Sequence, residues 1–202
     1  MMRVVWHPSN NLAKAAVRYA SHAASPSSGA AGFATSDPMA EKAQEWFEHG
    51  HKLWNEGDCA GALEAYEKSV FSKPTGDGYY NVANCYYSLG KHEKAISAWK
   101  RSLEMSPRAD AHVNLANVFA LVMKDADQAV FHYKEALLIE PLDGEIHYNY
   151  AVVLDSLGRI TEAIEEYQLA QRAGIDASKN LRNAQAKLKA QELKDQEPDD
   201  KK

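Results

Sequence analysis

The side chains here that could carry chemistry are few, and their spacing suits none of the common reactions. His92-Glu93 begins like the helical His-Glu-x-x-His motif, in which two imidazoles one turn apart hold zinc and the glutamate acts as base. Ile96 stands where the second imidazole belongs. His49 and His51 are two apart, so on a helix they point in different directions and make a poor metal pair. The expectation is one ring partly packed and the other solvated. Cys59 and Cys85 are the only cysteines and form no Cys-x-x-Cys pair. That fits a reducing compartment and excludes a disulfide scaffold. Cys85 reads as a small packing residue, not a nucleophile. No P-loop, dinucleotide-binding glycine run or nucleophile elbow occurs. The chain is therefore not expected to be an enzyme, and no catalytic residue, metal or cofactor is expected.

The totals point the same way. With 202 residues, 45% hydrophobic and 25% charged, the composition is that of an ordinary globular chain. A net charge of −5 argues against nucleic acid, because phosphate contacts need a surplus of Lys and Arg. No apolar run reaches the roughly 20 residues of a membrane helix. The best stretch, Val113 to Met123, is shorter and interrupted by Asn114 and Asn117. A soluble or peripheral protein without a transmembrane segment is expected, and the missing Asn-x-Ser/Thr acceptor suits an intracellular one.

What the sequence does carry is a repeat. Ala62, Ala95, Ala129 and Ala163 recur at spacings of 33, 34 and 34. Four residues after each stands Tyr66, Trp99, Tyr133 or Tyr167, and three further Ser69, Ser102, Ala136 or Ala170. Pro74, Pro107 and Pro141 follow, with Ile175 in the fourth place. The first half of each unit repeats too: Trp46, Tyr79, Val113 and His147 share one slot, and Gly50, Ala83, Asn117 and Ala151 the next. Leu53, Tyr86, Ala120 and Leu154 follow; Gly57, Gly90 and Gly158 then close three units, with Lys124 in the third. Small residues let two helices approach, large ones fill the neighbouring hollows, and glycine suits a helix end of positive φ.

From about Ala43 to Ala177 these slots resemble the tetratricopeptide repeat, W-x₂-L-G-x₂-Y…A-x₃-F…P over 34 residues. The resemblance implies an all-α fold: a right-handed α-solenoid of four helical hairpins, at about 43–75, 76–109, 110–143 and 144–177, within residues 37–175. The spacing predicts helices over 38–56, 59–73, 76–89, 92–106, 110–123, 126–140, 144–157 and 160–173. Asp37 and Pro38 suit the opening cap. A solenoid's last unit needs a cover with a polar outer side. Residues 176–195 are expected to supply it as a capping helix, with Leu181, Ala184, Leu188 and Gln191 inward and Lys179, Arg182, Lys187 and Lys189 outward. Residues 196–202 read as a disordered charged tail.

Residues 1–36 differ sharply from the rest. They hold Arg3, Lys14 and Arg18 and no acid. On a helix Lys14 and Arg18 share a face opposite Leu12, Ala16 and Tyr19. This basic, amphipathic, acid-free pattern is that of an organelle transit peptide, mitochondrial ahead of plastid. Arg18-Tyr19-Ala20-Ser21 resembles a matrix-protease site, and a Ser/Ala/Gly spacer follows. The alternatives are a plain disordered arm in a cytoplasmic protein and an arm that docks in place.

The resemblance also implies a use: proteins of this family bind partners on a concave face lined by the first helix of each hairpin. Helical spacing puts Phe47, His51, Trp54 and Asn55 there from the first unit, and Tyr80, Asn81, Asn84 and Tyr87 from the second. The third gives Asn114, Leu115, Val118 and Leu121, the fourth Tyr148, Asn149, Val152 and Asp155. Aromatics and asparagines dominate and basic residues are absent, which suits another protein's extended peptide segment. Family members that clamp chaperone C-terminal carboxylates use lysines, an arginine and asparagines here. In those places stand Phe47, His51, Ala111 and Leu115, and only Asn81 matches; one unit later stand Tyr80, Asn84 and Glu145. No such chaperone tail is expected. The function implied is a scaffold, adaptor or assembly factor, or an accessory subunit of a larger complex, in an organelle. The alternatives are a cytosolic chaperone adaptor and an organellar RNA-binding repeat protein.

Overall fold

A computed structural model describes residues 37–196; the leader 1–36 and the tail from 197 lie outside the described residues. Every regular element among the described residues is helical. The chain divides into two compact units, whose described parts are 37–111 and 112–196.

In the first unit α1 spans Pro38–Asn55, α2 Cys59–Ser72, α3 Gly76–Ser88 and α4 His92–Met105. Asp37, Asp58 and Thr75 cap α1 to α3, each side chain accepting a first-turn backbone N–H at 2.9–3.1 Å. The reverse end of α1 stops at Gly57 (φ 84°) and that of α3 at Gly90 (φ 72°), in the left-handed region where a side chain is strained. α1 packs on α2, α2 on α3 and α3 on α4. Gly50 is needed for the first of these contacts, since a Cβ there would lie 2.8 Å from the Tyr66 ring. The small slot of the second helices is also polar where it holds serine. Ser69 Oγ–H donates to Ala43 O at 2.8 Å and Ser102 Oγ–H to Gly76 O at 2.7 Å, each tying a second helix to the first of its pair.

α5 begins at Ala109 and runs to Val118, crossing the boundary between the units. In the second unit it continues as a wide π-helical turn, Phe119–Met123. Then follow α6 (Ala126–Ile139), α7 (Gly144–Ser156), α8 (Ile160–Arg172) and α9 (Ser178–Gln196). The regular helix expected over 110–123 is thus corrected in its last turn. Asp58, Lys91 and Arg159 each donate a backbone N–H to the carbonyl five residues back, whereas Asp125 reaches six back, to Phe119. No insertion explains this, because seven residues separate Asn117 from Lys124 just as they separate Gly50 from Gly57. The residue type differs: Lys124 takes the left-handed conformation (φ 58°) that glycine takes elsewhere, and its Cβ disfavours the usual tight closure.

α9 packs on α8 as the cover, with Ala177 and Ala184 fully buried. Lys187 of its outward set stays exposed, and its ammonium reaches Asp155 of α7 at 2.7 Å, where that carboxylate is 2% exposed.

Candidate interaction surfaces

On the first unit the predicted groove residues divide into spent and available side chains. Phe47 is buried, its ring edge-on to His51 at 4.7 Å and to Tyr66 at 5.6 Å. Tyr80 is buried as well, with the Arg108 guanidinium 3.9 Å above its ring. Asn84 is also buried, and its Oδ1 accepts the Trp99 indole N–H at 3.1 Å. These three pack the unit's interior and present little surface. His51, Trp54, Asn81 and Tyr87 are half-buried and Asn55 is exposed. Burial holds the His51 imidazole below its ordinary value, partly offset by the Asp77 carboxylate, and burial raises the Tyr87 phenol. His49 is exposed, so the two nearby imidazoles are one packed and one solvated.

One cation that the helical mapping leaves out, Arg108, lies against a predicted groove residue. Besides stacking on Tyr80, it bonds Asp77 at 2.8 Å and Asp110 at 3.4 Å. It follows Pro107 in an interhelical loop, a place that helical spacing does not map. The only signal for it in the sequence is a cation flanked by acids at the repeat's joint.

On the second unit, Leu115 and Val118 are buried and belong to the core. Asn114, Leu121, Tyr148, Asn149 and Val152 are half-buried. Tyr148 sets its ring edge-on to Tyr167 at 5.8 Å. Asp155, expected on the groove face, is taken by Lys187. Its companion His147, in the slot of Trp46, bridges Pro141 O through Nε2 at 3.0 Å and Glu166 Oε2 through Nδ1 at 2.6 Å. Asn117 fills the small slot and accepts the Tyr133 hydroxyl at 2.6 Å, the same aromatic-to-asparagine bond that Trp99 makes with Asn84.

A second surface of the first unit was not foreseen. A cleft of about 670 Å³ lies over α3, floored by Tyr79, Val82 and Tyr86 and walled by Val70 and Phe71 on one side and Ala98 and Arg101 on the other. A neighbouring cleft of about 440 Å³ lies between α1 and α2 and shares Phe71 and Glu67 with it. Phe71 is 88% exposed. Tyr86 donates its hydroxyl to Glu67 at 2.5 Å, and this bond, with burial second, pushes the phenol up to about 12. Among the described residues no three His, Cys, Asp or Glu side chains gather as metal ligands would. Nor is any described helix long and apolar enough to cross a membrane.

Two sequence models of the tetratricopeptide repeat match, at residues 76–108 and 120–191, together more than half of the chain. No curated protein matches in sequence. Solved structures match in fold. A MamA fragment from Desulfovibrio magneticus RS-1 is 19% identical, covering 67% of this chain and 77% of that one at a TM-score of 0.61. YrrB, described as a tetratricopeptide repeat protein with an unusual peptide-binding site, is 16% identical over 68% and 75% at 0.58. A chain of the Cut9–Hcn1 assembly of the APC/C is 19% identical at 0.61, over 76% of this chain and 31% of that one. An all-helical fold whose small and aromatic slots pack one helix pair after another defines a class of protein-interaction scaffold. The chain belongs to the tetratricopeptide repeat family.

Proposed function

We propose that this protein is a non-catalytic adaptor, assembly factor or accessory subunit of a mitochondrial complex, and that the first-helix faces of its units hold an extended segment of a partner protein. The observation that carries the binding face is the sorting of side chains in the first unit. Asn84 and Tyr80 are taken up inside, whereas Trp54, Asn81, His51 and Asn55 keep part of their surface in solvent. Half-buried aromatics of this kind offer large contact area at little entropic cost, and amides match the donors and acceptors of a peptide backbone. The peptide-binding site named for YrrB supports the same use of the fold. The acid-free leader supports the address, with a mature chain beginning near Ala20.

Capture of partners by wild type and by a Trp54/Asn81/Tyr87 triple alanine variant tests the face. Trp54→Ala or Tyr87→Ala should weaken binding by roughly 2 kcal/mol with helicity intact. Equal retention of the same partners by both proteins would overturn the face. N-terminal sequencing of the native protein tests the address, and a chain still starting at Met1 or Met2 would remove the cut.

A further inference from the structure

The outer cleft of the first unit is the most shaped surface that the groove reading leaves unused. Its floor, Tyr79, Val82 and Tyr86, follows one stripe of α3 over seven residues, a rise of about 10.5 Å. Phe71, 88% exposed, stands beside it as a knob that extends the apolar floor into a contiguous surface. We propose that this cleft is covered, in the uncut chain, by the protein's own leader, with the stripe Leu12, Ala16 and Tyr19 laid along α3.

Three features select that occupant. The first is where the leader joins the described chain. Asp37 lies 3.5 Å from Lys73, two residues beyond Phe71, so the leader departs beside the smaller cleft, which shares Phe71 with the larger one. The 17 residues 20–36 can span up to about 55 Å, ample for residues 12–19 to turn back onto α3. The second is shape. Leu12 and Tyr19 are seven apart, the same two turns as Tyr79 and Tyr86, and the small Ala16 between them leaves a hollow for Phe71. The third is charge. The leader carries three cations and no acid, so residues 37–202, with 20 Lys and Arg against 28 Asp and Glu, carry −8. Lys14 and Arg18 stay in water on the far side of the leader helix while the opposite net charges draw the arm to the body. Removal of residues 1–19 by a protease would bare the cleft, so processing and exposure of this surface are one event.

The full 202-residue chain is the material for the test. With Tyr19→p-benzoylphenylalanine as a photo-crosslinker, the products should be intrachain and map to residues 67–101 of the cleft wall. Trypsin should cut after Lys14 and Arg18 at least fivefold faster in Phe71→Ser than in wild type, because docking protects the arm. Phe71 is exposed, so the variant should keep the wild-type melting temperature to within a few degrees. Cross-links to the α1 or α3 inner face around His51 and Asn81, to a second copy, or to nothing would overturn the proposal, as would equal cutting rates. Loss of partner capture by the groove variant leaves these readouts unmoved, so the two readings fail separately.

Discussion

In the unit 37–111 both first helices close on glycine and hold a residue no larger than alanine at the crossing. In the unit 112–196 one first helix does the same, through Ala151 and Gly158, while the other carries Asn117 and Lys124 and ends in a π turn. One repeat pattern therefore tolerates two solutions. Where glycine is present, the backbone closes tightly and a small apolar residue or none fills the crossing, with polar bonds such as Trp99–Asn84 beside it. Where it is absent, the last turn widens and a buried hydrogen bond from Tyr133 to Asn117 links the helices. The second unit also has ionic contacts, Lys187–Asp155 and His147–Glu166, in the slots that Trp54 and Trp46 hold in the first.

The sharpest way to break the comparison is to place a branched side chain at the tight crossing. Gly50→Val should destabilise by about 3 kcal/mol, because its Cβ alone would press on the Tyr66 ring at 2.8 Å. Chemical denaturation followed by circular dichroism checks this, and a loss under 1 kcal/mol would mean that the crossing yields. Lys187→Ala should cost about 2 kcal/mol by leaving the Asp155 carboxylate buried and unpaired. Replacing both residues, Asp155→Asn with Lys187→Ala, should recover part of that loss; no recovery would show that Lys187 acts through packing alone. A smaller effect of opposite sign is expected at the π turn. Lys124→Gly should stabilise by about 0.5–1 kcal/mol by relieving a left-handed side-chain residue, and an unchanged midpoint would place the origin of the wide turn elsewhere.

Acid should weaken both units modestly. Burial holds His51 in the first and His112 in the second below the ordinary imidazole value of 6.5, partly offset by Asp77 and Glu135 respectively. The unfolded chain therefore takes up protons first as pH falls. This contribution is complete above pH 6.5 and is lost as pH drops through the depressed folded values. His112 also shares an Nδ1 contact of 3.0 Å with the buried His132, which a second proton would disrupt. Melting temperatures measured between pH 7.5 and 5 should fall less steeply in His51→Gln and His112→Gln than in wild type. Identical slopes would sink the assignment.

Much of the fold was legible because its determinants are local and periodic. Recurring alanines and aromatics set the register, and the expected helices agree with those observed to within a residue or two at their ends, save α5, which gives way to the π turn after Val118. Asp37 caps the opening helix as expected, and the structure adds Asp58, Thr75, Asp125 and Asp143 as caps of the same kind. The candidate face was mapped from helical spacing, which does not report burial. Spacing put Phe47, Tyr80, Asn84, Leu115, Val118 and Asp155 beside Trp54, Asn81 and Tyr148, yet the first six are buried. A helical wheel gives the direction of a side chain but not what stands opposite it.

The sequence by itself determined where each helix begins and, save for the π turn of α5, where it ends, which residues cross closely, and which family the chain belongs to, since all of these follow from a repeat of about 34 residues and from local backbone preference. Only the tertiary structure decided how polar side chains were shared out: Asn84 to Trp99, Arg108 to Tyr80 and two aspartates, Lys187 to Asp155. Those partners lie 15 to 32 residues apart in most cases, beyond any helical period. A buried polar group takes whichever partner the fold brings within about 3 Å, because leaving it unbonded costs more than giving up a surface role.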